Sequence, residues 1–169
     1  MPFKEIPINS VQMNPFAKIS SEWALLTAGT KDTGFNMMTV SWAGFGCFWQ
    51  KDAVTAYVRE SRYTRQFMES NDTYTLSFYD KAYRKTLSIC GTLHGNECDK
   101  VAESGLTPLF LGDTAAFEEA SLIFVCKKLV HADIQPENAD NKDVFNAVYP
   151  EPDLHRIYIG EVIKVLAKE

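Results

Sequence analysis

Hydroxyl, amide and guanidinium side chains crowd positions 36 to 64, the stretch whose residue types are best suited to ligand chemistry. It holds Asn36, Met37, Met38, Thr39, Val40, Ser41 and Trp42, then Gly44-Phe45-Gly46, a polar break at Gln50-Lys51-Asp52, and Val58-Arg59-Glu60-Ser61-Arg62-Tyr63-Thr64. The apolar runs on either side of the break are rich in β-branched and aromatic residues, which predicts a β-hairpin. Reversal around Lys51 would set residues whose numbers sum to about 102 opposite one another, roughly 5 Å apart. Thr39 and Ser41 then lie beside Arg59, Ser61 and Tyr63, with a one-residue shift if Gly44 or Gly46 forms a bulge. The segment from Tyr63 to Asn71 reads as a short helix with Ser61 at its N-cap. A helix start flanked by Arg59, Arg62 and Arg65 suits an anion, and a phosphate monoester matches its charge and hydrogen-bond demand.

Other constellations are weaker. There is no Gly-x-Ser-x-Gly, the three histidines are scattered, and no catalytic acid, base or nucleophile is expected. Gly44-Phe45-Gly46 lacks the third glycine and following helix of a dinucleotide fingerprint. Cys90, His94 and Cys98 recur at four-residue spacing, but Gly91 and Gly95 interrupt a helix there and a fourth ligand is missing, so no metal is expected. Asp140-Asn141-Lys142-Asp143 fails the glycine and terminal glutamate positions of a calcium loop. Cys47 and Cys126 lie in apolar strand-like runs and read as small core residues.

Strands must position these groups. Phe3 to Ile8 reads as a short strand or arm, Trp23 to Gly29 as a buried strand ending in the Lys31-Asp32-Thr33-Gly34 turn, and Thr73 to Tyr79 as an alternating strand. Lys81 to Cys90 and Asn96 to Ser104 read as helices, the second closed by Gly105 and stopped by Thr107-Pro108. Ala120 to Ala132 and His155 to Leu166 are further strands, and Ile134 to Pro152 is a proline-punctuated surface excursion. The pattern predicts a mainly β protein with short helices, built as a closed antiparallel barrel.

A length of 169 residues without a linker or low-complexity tract suits one domain spanning residues 1–169. A net charge of −5 and a pI near 5.2 argue against nucleic acid or an anionic membrane as partner, which makes the arginine cluster a local exception. With no apolar leader, no run of about 18 apolar residues and no Cys-x-x-Cys pair, a cytoplasmic chain with reduced thiols is expected.

Asn36-x-x-Thr39-Val40-Ser41-Trp42, Val58-Arg59-x-Ser61-Arg62-Tyr63-Thr64, Ile89-Cys90-Gly91, Asp99-Lys100-Val101, Gly105-Leu106-Thr107-Pro108 and His155-Arg156-x-Tyr158-x-Gly160-Glu161 together resemble the flavin reductase-like family, in its flavoredoxin-type branch. The resemblance covers nearly the whole chain. It implies an antiparallel FMN-binding split β-barrel, usually a homodimer with flavin near the subunit interface. It also implies that Asn36, Met37, Met38, Thr39, Ser41 and Trp42 run along the ring and ribityl chain, and that Arg59, Ser61, Arg62, Tyr63 and Thr64 surround the phosphate. His155 is expected at the flavin edge or the dimer interface, with plain surface as the alternative. A proline is common where this chain has Glu60, so the turn before the phosphate site is looser or more acidic here.

By residue type alone, Thr39 and Ser41 fit solvent-facing strand positions equally well, and one of Arg62 and Arg65 is expected on a solvated helix face. Trp42, Phe45, Phe48 and Trp49 fit core or dimer contact, Trp42 being the one suited to stacking. The function implied is an FMN oxidoreductase that takes hydride from NADH or NADPH and passes electrons to a small-molecule or protein acceptor. An electron carrier without nicotinamide activity and a flavin-binding module without turnover are the alternatives.

Overall fold

The computed structural model describes residues 2–168. Its chain order is β1 (Phe3–Glu5), α1 (Pro15–Ala17) running into a π-helical turn at Lys18–Glu22, β2 (Ala24–Thr30), β3 (Gly34–Val40), β4 (Ala43–Phe48), β5 (Lys51–Arg59), α2 (Thr64–Ser70), β6 (Thr73–Phe78), α3 (Arg84–Thr92), α4 (Lys100–Ser104), β7 (Pro108–Phe110), β8 (Ala115–Phe117), β9 (Leu122–Asp133), α5 (Lys142–Val148) and β10 (His155–Lys168). The main sheet is antiparallel, in the order β3-β2-β6-β9-β10-β5-β4, with β1 added to the far end of β10. No helix of the described residues is long and apolar enough to cross a membrane.

The expected closed barrel is not formed. β3 and β4 end the strand order without pairing to each other, although only Ser41 and Trp42 separate them along the chain. The result is a split barrel, as the family resemblance implied.

Strand alternation sorts the side chains into two cores. Leu26, Ala28, Met38, Val54, Val58, Tyr74, Leu76, Phe78, Phe124, Cys126 and Tyr158 fill the barrel interior. Leu25, Met37, Leu87, Cys90, Phe117, Ile123 and Val125 form a second core on the outer face. The central strands are buried on both faces for this reason, and β6 is buried from Tyr74 to Phe78. The Tyr74 hydroxyl donates to the Val54 carbonyl at 2.9 Å across the barrel, and the absence of a side chain at Gly160 leaves room for its ring.

Four local expectations change. The hairpin around Lys51 is β4–β5, not one running from Thr39 to Arg59: Trp49 and Gln50 both take positive φ (49° and 56°), which makes the tight two-residue turn suited to strand twist and pairs Phe48 with Lys51. Arg59 therefore pairs with His155, and Thr39 with Leu25. The helix after β5 begins at Thr64 behind Tyr63 with no side-chain cap, so Ser61 is not its N-cap. Helix α4 starts at Lys100 rather than Asn96 because the Asp99 carboxylate caps it, accepting from the Val101 and Ala102 N–H groups. The surface excursion contains α5, capped by Asn141, and the β7–β8 hairpin follows the Thr107-Pro108 stop.

Cys126 is buried, but Cys47 is exposed near the end of β4, opposite Asp52 and beside the Trp49-Gln50 turn. Helix α3 ends at Thr92, so Cys90, His94 and Cys98 do not share a helix; the Cys98 thiol bonds the His94 carbonyl instead.

Candidate functional site

Three strand ends meet at one mouth of the barrel. The end of β3 and the link after it bring Met38, Thr39, Val40, Ser41 and Trp42; β5 and the turn beyond it bring Tyr57, Arg59 and Arg62; the first residue of β10 brings His155. Together they line a pocket of about 200 Å³. That volume is below the roughly 300 Å³ typical of the smallest enclosed small-molecule sites, so a larger ligand would extend beyond it.

One side of the pocket is aromatic. The Trp42 ring lies 4.5 Å from that of His155 with a 33° tilt, and edge-on to Tyr57 at 6.3 Å. Trp42 keeps 40% of its surface exposed, which leaves a planar face for a ligand ring. Behind it, His155 Nδ1 and Tyr149 Oη lie 2.8 Å apart, and the Arg59 guanidinium sits 5.4 Å from the Tyr149 ring centre.

The other side is cationic. Arg62 donates from Nη1 to the Gly91 carbonyl at 2.8 Å, which ties it to the last turn of α3, and burial lowers its pKa with help from Arg59. Arg59 donates to the carbonyls of Asp153 at 3.2 Å and Val148 at 3.5 Å. Ser61 gives both its N–H (2.9 Å) and its hydroxyl (2.6 Å) to the Asp153 carboxylate, and Arg59 Nη1 lies 3.9 Å from that same group. A carboxylate held by a guanidinium, an amide and a hydroxyl demonstrates a donor set that suits a phosphate monoester.

Not all the expected residues share this mouth. Met38, Thr39, Ser41, Trp42, Arg59, Arg62 and His155 do, and Ser61 lies at its rim through Asp153. Asn36 and Thr64 are buried and bond each other, Nδ2 to Oγ1 at 2.9 Å, while Met37 and Tyr63 line a separate pocket with Asn36. The Asn36–Thr64 bond locks β3 to the start of α2. Thr39 also has a structural partner, donating its hydroxyl to the Leu87 carbonyl, so toward a ligand it can only accept. Arg65 does not take the solvated role expected of one of the pair: its side chain is only 18% exposed and lies within 4 Å of Glu69 and Asp133, while Phe45 packs into the core against Phe124 at 5.5 Å.

Sequence reading missed Tyr57, Tyr149, Asp153 and Lys100. Lys100 is buried behind β3, its Nζ donating to the Met37 carbonyl at 2.6 Å, and burial pulls its pKa down to about 8 with a further push from Arg62. Its position straight after the helix cap Asp99 is the one signal that it turns inward. Tyr149 and Asp153 sit in the surface excursion, where nothing in their local sequence points to Arg59.

Burial, reinforced by Arg59 and Arg62 against the opposing pull of Asp153, lowers the His155 pKa from 6.5 to about 4. A folded value below the unfolded one means that folding favours neutral imidazole. The stability this contributes is complete above pH 6.5 and is lost as pH falls through about 4. The wild-type melting temperature is therefore expected to fall between pH 6.5 and 4, above the window of ordinary carboxylates, and the fall is expected to shrink in His155→Gln. Equal slopes in thermal melts of the two proteins would contradict this.

The family model described as flavin reductase like domain matches residues 16–169. The fold is similar to flavoredoxin of Desulfovibrio vulgaris (Miyazaki F), with a TM-score of 0.66 and 21% identity over 94% of this chain and 78% of that one. It is also similar to an FMN-binding domain of a flavin reductases-like enzyme from Shewanella baltica OS155, with a TM-score of 0.68 and 15% identity over 98% and 77% of the two chains. A protein with a split barrel domain from Shewanella frigidimarina NCIMB 400 gives a TM-score of 0.69 and 15% identity over 96% and 77%. No curated protein sequence matches the chain.

Proposed function

Because the chain belongs to the flavin reductase-like domain family, we propose that it is an FMN flavoprotein that accepts hydride from NADH or NADPH and passes electrons to a small-molecule or protein acceptor. The observation that carries this reading is the single mouth at which an exposed aromatic face, Trp42, adjoins a cationic end, Arg59 and Arg62. A planar ring bearing a phosphate has the same two-part character. Arg59, Ser61 and Arg62 would hold the phosphate, and Met38 to Trp42 would lie along the ring and ribityl chain.

Bound FMN would supply the hydride and electron chemistry itself. The residues here bind and orient. Arg62 is held in place by Gly91 and Arg59 by Tyr149 and the carbonyls of Val148 and Asp153, so both cations are positioned in advance of the ligand. With its pKa lowered to about 4, neutral His155 adds no charge beside Trp42 at neutral pH. Positive charge comes instead from the arginines and, behind β3, from Lys100.

Anaerobic addition of NADH or NADPH to FMN-loaded protein tests the reading. Bleaching of the oxidised flavin absorbance, with recovery when an acceptor is admitted, is expected. Reduction by dithionite but by neither nucleotide would replace the reductase reading with an electron carrier.

A homodimer is part of the proposal. Trp42 (40%) and Trp49 (60%) are exposed beside β4, an edge strand with unpaired backbone groups, and the pocket is open on one side. A second copy would cover both. Light scattering at micromolar concentration should give twice the chain mass of 19.1 kDa, and monomer alone would contradict it.

A further inference from the structure

The groups assigned above to a ligand phosphate already hold an anion of the chain's own. Asp153 lies just before β10, at the end of the surface segment that carries α5. Its carboxylate takes the Ser61 N–H at 2.9 Å and the Ser61 hydroxyl at 2.6 Å, with Arg59 Nη1 at 3.9 Å. The backbone is docked at the same place, since Arg59 donates to the Asp153 carbonyl at 3.2 Å and the Glu60 N–H to the Leu154 carbonyl at 3.0 Å. A phosphate and a carboxylate need the same donors, and two anions in one cradle repel.

We infer that Asp153 is an internal anion that occupies the phosphate subsite and sets the protein's selectivity between phosphorylated and unphosphorylated flavin. The inference rests on the flavin-phosphate reading above. FMN binds by displacing the carboxylate, so its apparent affinity is reduced by the fraction of time the cradle is filled. Riboflavin carries no group for the cradle and is indifferent to it.

The contact has the properties of a displaceable occupant. The Asp153 side chain is 30% exposed, so it can rehydrate as it leaves, and it is held by polar contacts. The residues before it, Pro150, Glu151 and Pro152, are exposed, so the segment can move without opening the core. The carboxylate is charged when it competes. Burial works against the charge, but the two Ser61 hydrogen bonds and the Arg59 cation more than offset it and leave the pKa below the ordinary value.

Titration of wild type, Asp153→Asn and Asp153→Ala with FMN and with riboflavin, followed by quenching of flavin fluorescence, tests this. Asparagine keeps the shape and removes the charge; alanine removes both. If the cradle is filled about nine-tenths of the time, freeing it raises FMN affinity by about tenfold, and both variants should show that gain while riboflavin affinity stays nearly constant. In wild type, FMN should also move the Ser61 amide signal in a nitrogen–proton correlation spectrum, and riboflavin should leave it in place. FMN binding no tighter in either folded variant overturns the proposal. The riboflavin arm separates that failure from a failure of the phosphate reading. If only the role of Asp153 is wrong, FMN still outbinds riboflavin in all three proteins; if the phosphate reading is wrong, the two flavins bind alike in all three.

Discussion

Arg59→Ala is expected to weaken FMN binding by about tenfold or more, since a charge-assisted hydrogen bond to an anion contributes roughly 1.5 to 3 kcal/mol and about 1.4 kcal/mol is a factor of ten. Riboflavin binding should change far less. Arg59 also organises the rim: its guanidinium lies over Tyr149 and bonds the carbonyls of Val148 and Asp153. Removing it therefore loosens the segment that carries Asp153. Arg59→Lys separates the two contributions, because it keeps the charge but loses the planar fork, and it should fall between wild type and alanine. Fluorescence titration with FMN and riboflavin reads the effect, and a thermal melt establishes that each variant is folded. Equal losses for both flavins would assign Arg59 to the ring or to the scaffold instead of the phosphate.

The largest stability effect is expected at Gly29→Ala. Gly29 sits near the end of β2 at φ +106°, and a Cβ there would stand 2.3 Å from the Gly34 carbonyl oxygen and 2.6 Å from Phe35 Cα. Both are backbone atoms of the strand that carries Asn36 to Val40, so no side-chain rotation relieves the clash. Backbone strain of about 1 to 3 kcal/mol and overpacking of about 1 to 3 kcal/mol together imply a loss of roughly 3 kcal/mol or more. For a domain of this size the melting temperature should drop by roughly 6 to 12 °C, and FMN affinity should fall as β3 is displaced. Gly105→Ala is the control. It is also left-handed, at φ +68°, but nothing lies within 4 Å of the added Cβ, so only the conformational cost of about 1 kcal/mol remains. Similar melting temperatures for the two variants would contradict the steric account.

The parts legible in the sequence are those that depend on neighbours along the chain. Alternation at Thr73 to Phe78, the polar turn after β2 and the Gly105 stop after α4 each lie within a few residues of their cause, and each has its counterpart in the structure. Seven of the nine residues that line the mouth are legible as well, although the structure replaces the route to them: Thr39 and Arg59 line one pocket while pairing with Leu25 and His155, not as partners in one hairpin. The register error has a local cause, since Trp49 and Gln50 adopt positive φ without the glycine or asparagine that signals such a turn. The remaining gaps are long-range. Ser61 meets Asp153 across 92 positions, Arg62 meets Gly91 across 29, and Lys100 meets Met37 across 63, so none of these contacts has a local signature.

The central claim is that one mouth of the barrel takes a flavin phosphate at Arg59, Ser61 and Arg62 and a flavin ring along Met38 to Trp42. A crystal structure of the protein grown with FMN tests it most directly. The account predicts phosphate density within hydrogen-bond distance of Arg59 and Ser61, the Asp153 carboxylate displaced from Ser61, and the ring against the segment ending at Trp42. Flavin bound elsewhere, for instance in the groove lined by Tyr79 and Arg84, or FMN in the mouth with its phosphate turned away from Arg59 while Asp153 keeps its hold on Ser61, would contradict it.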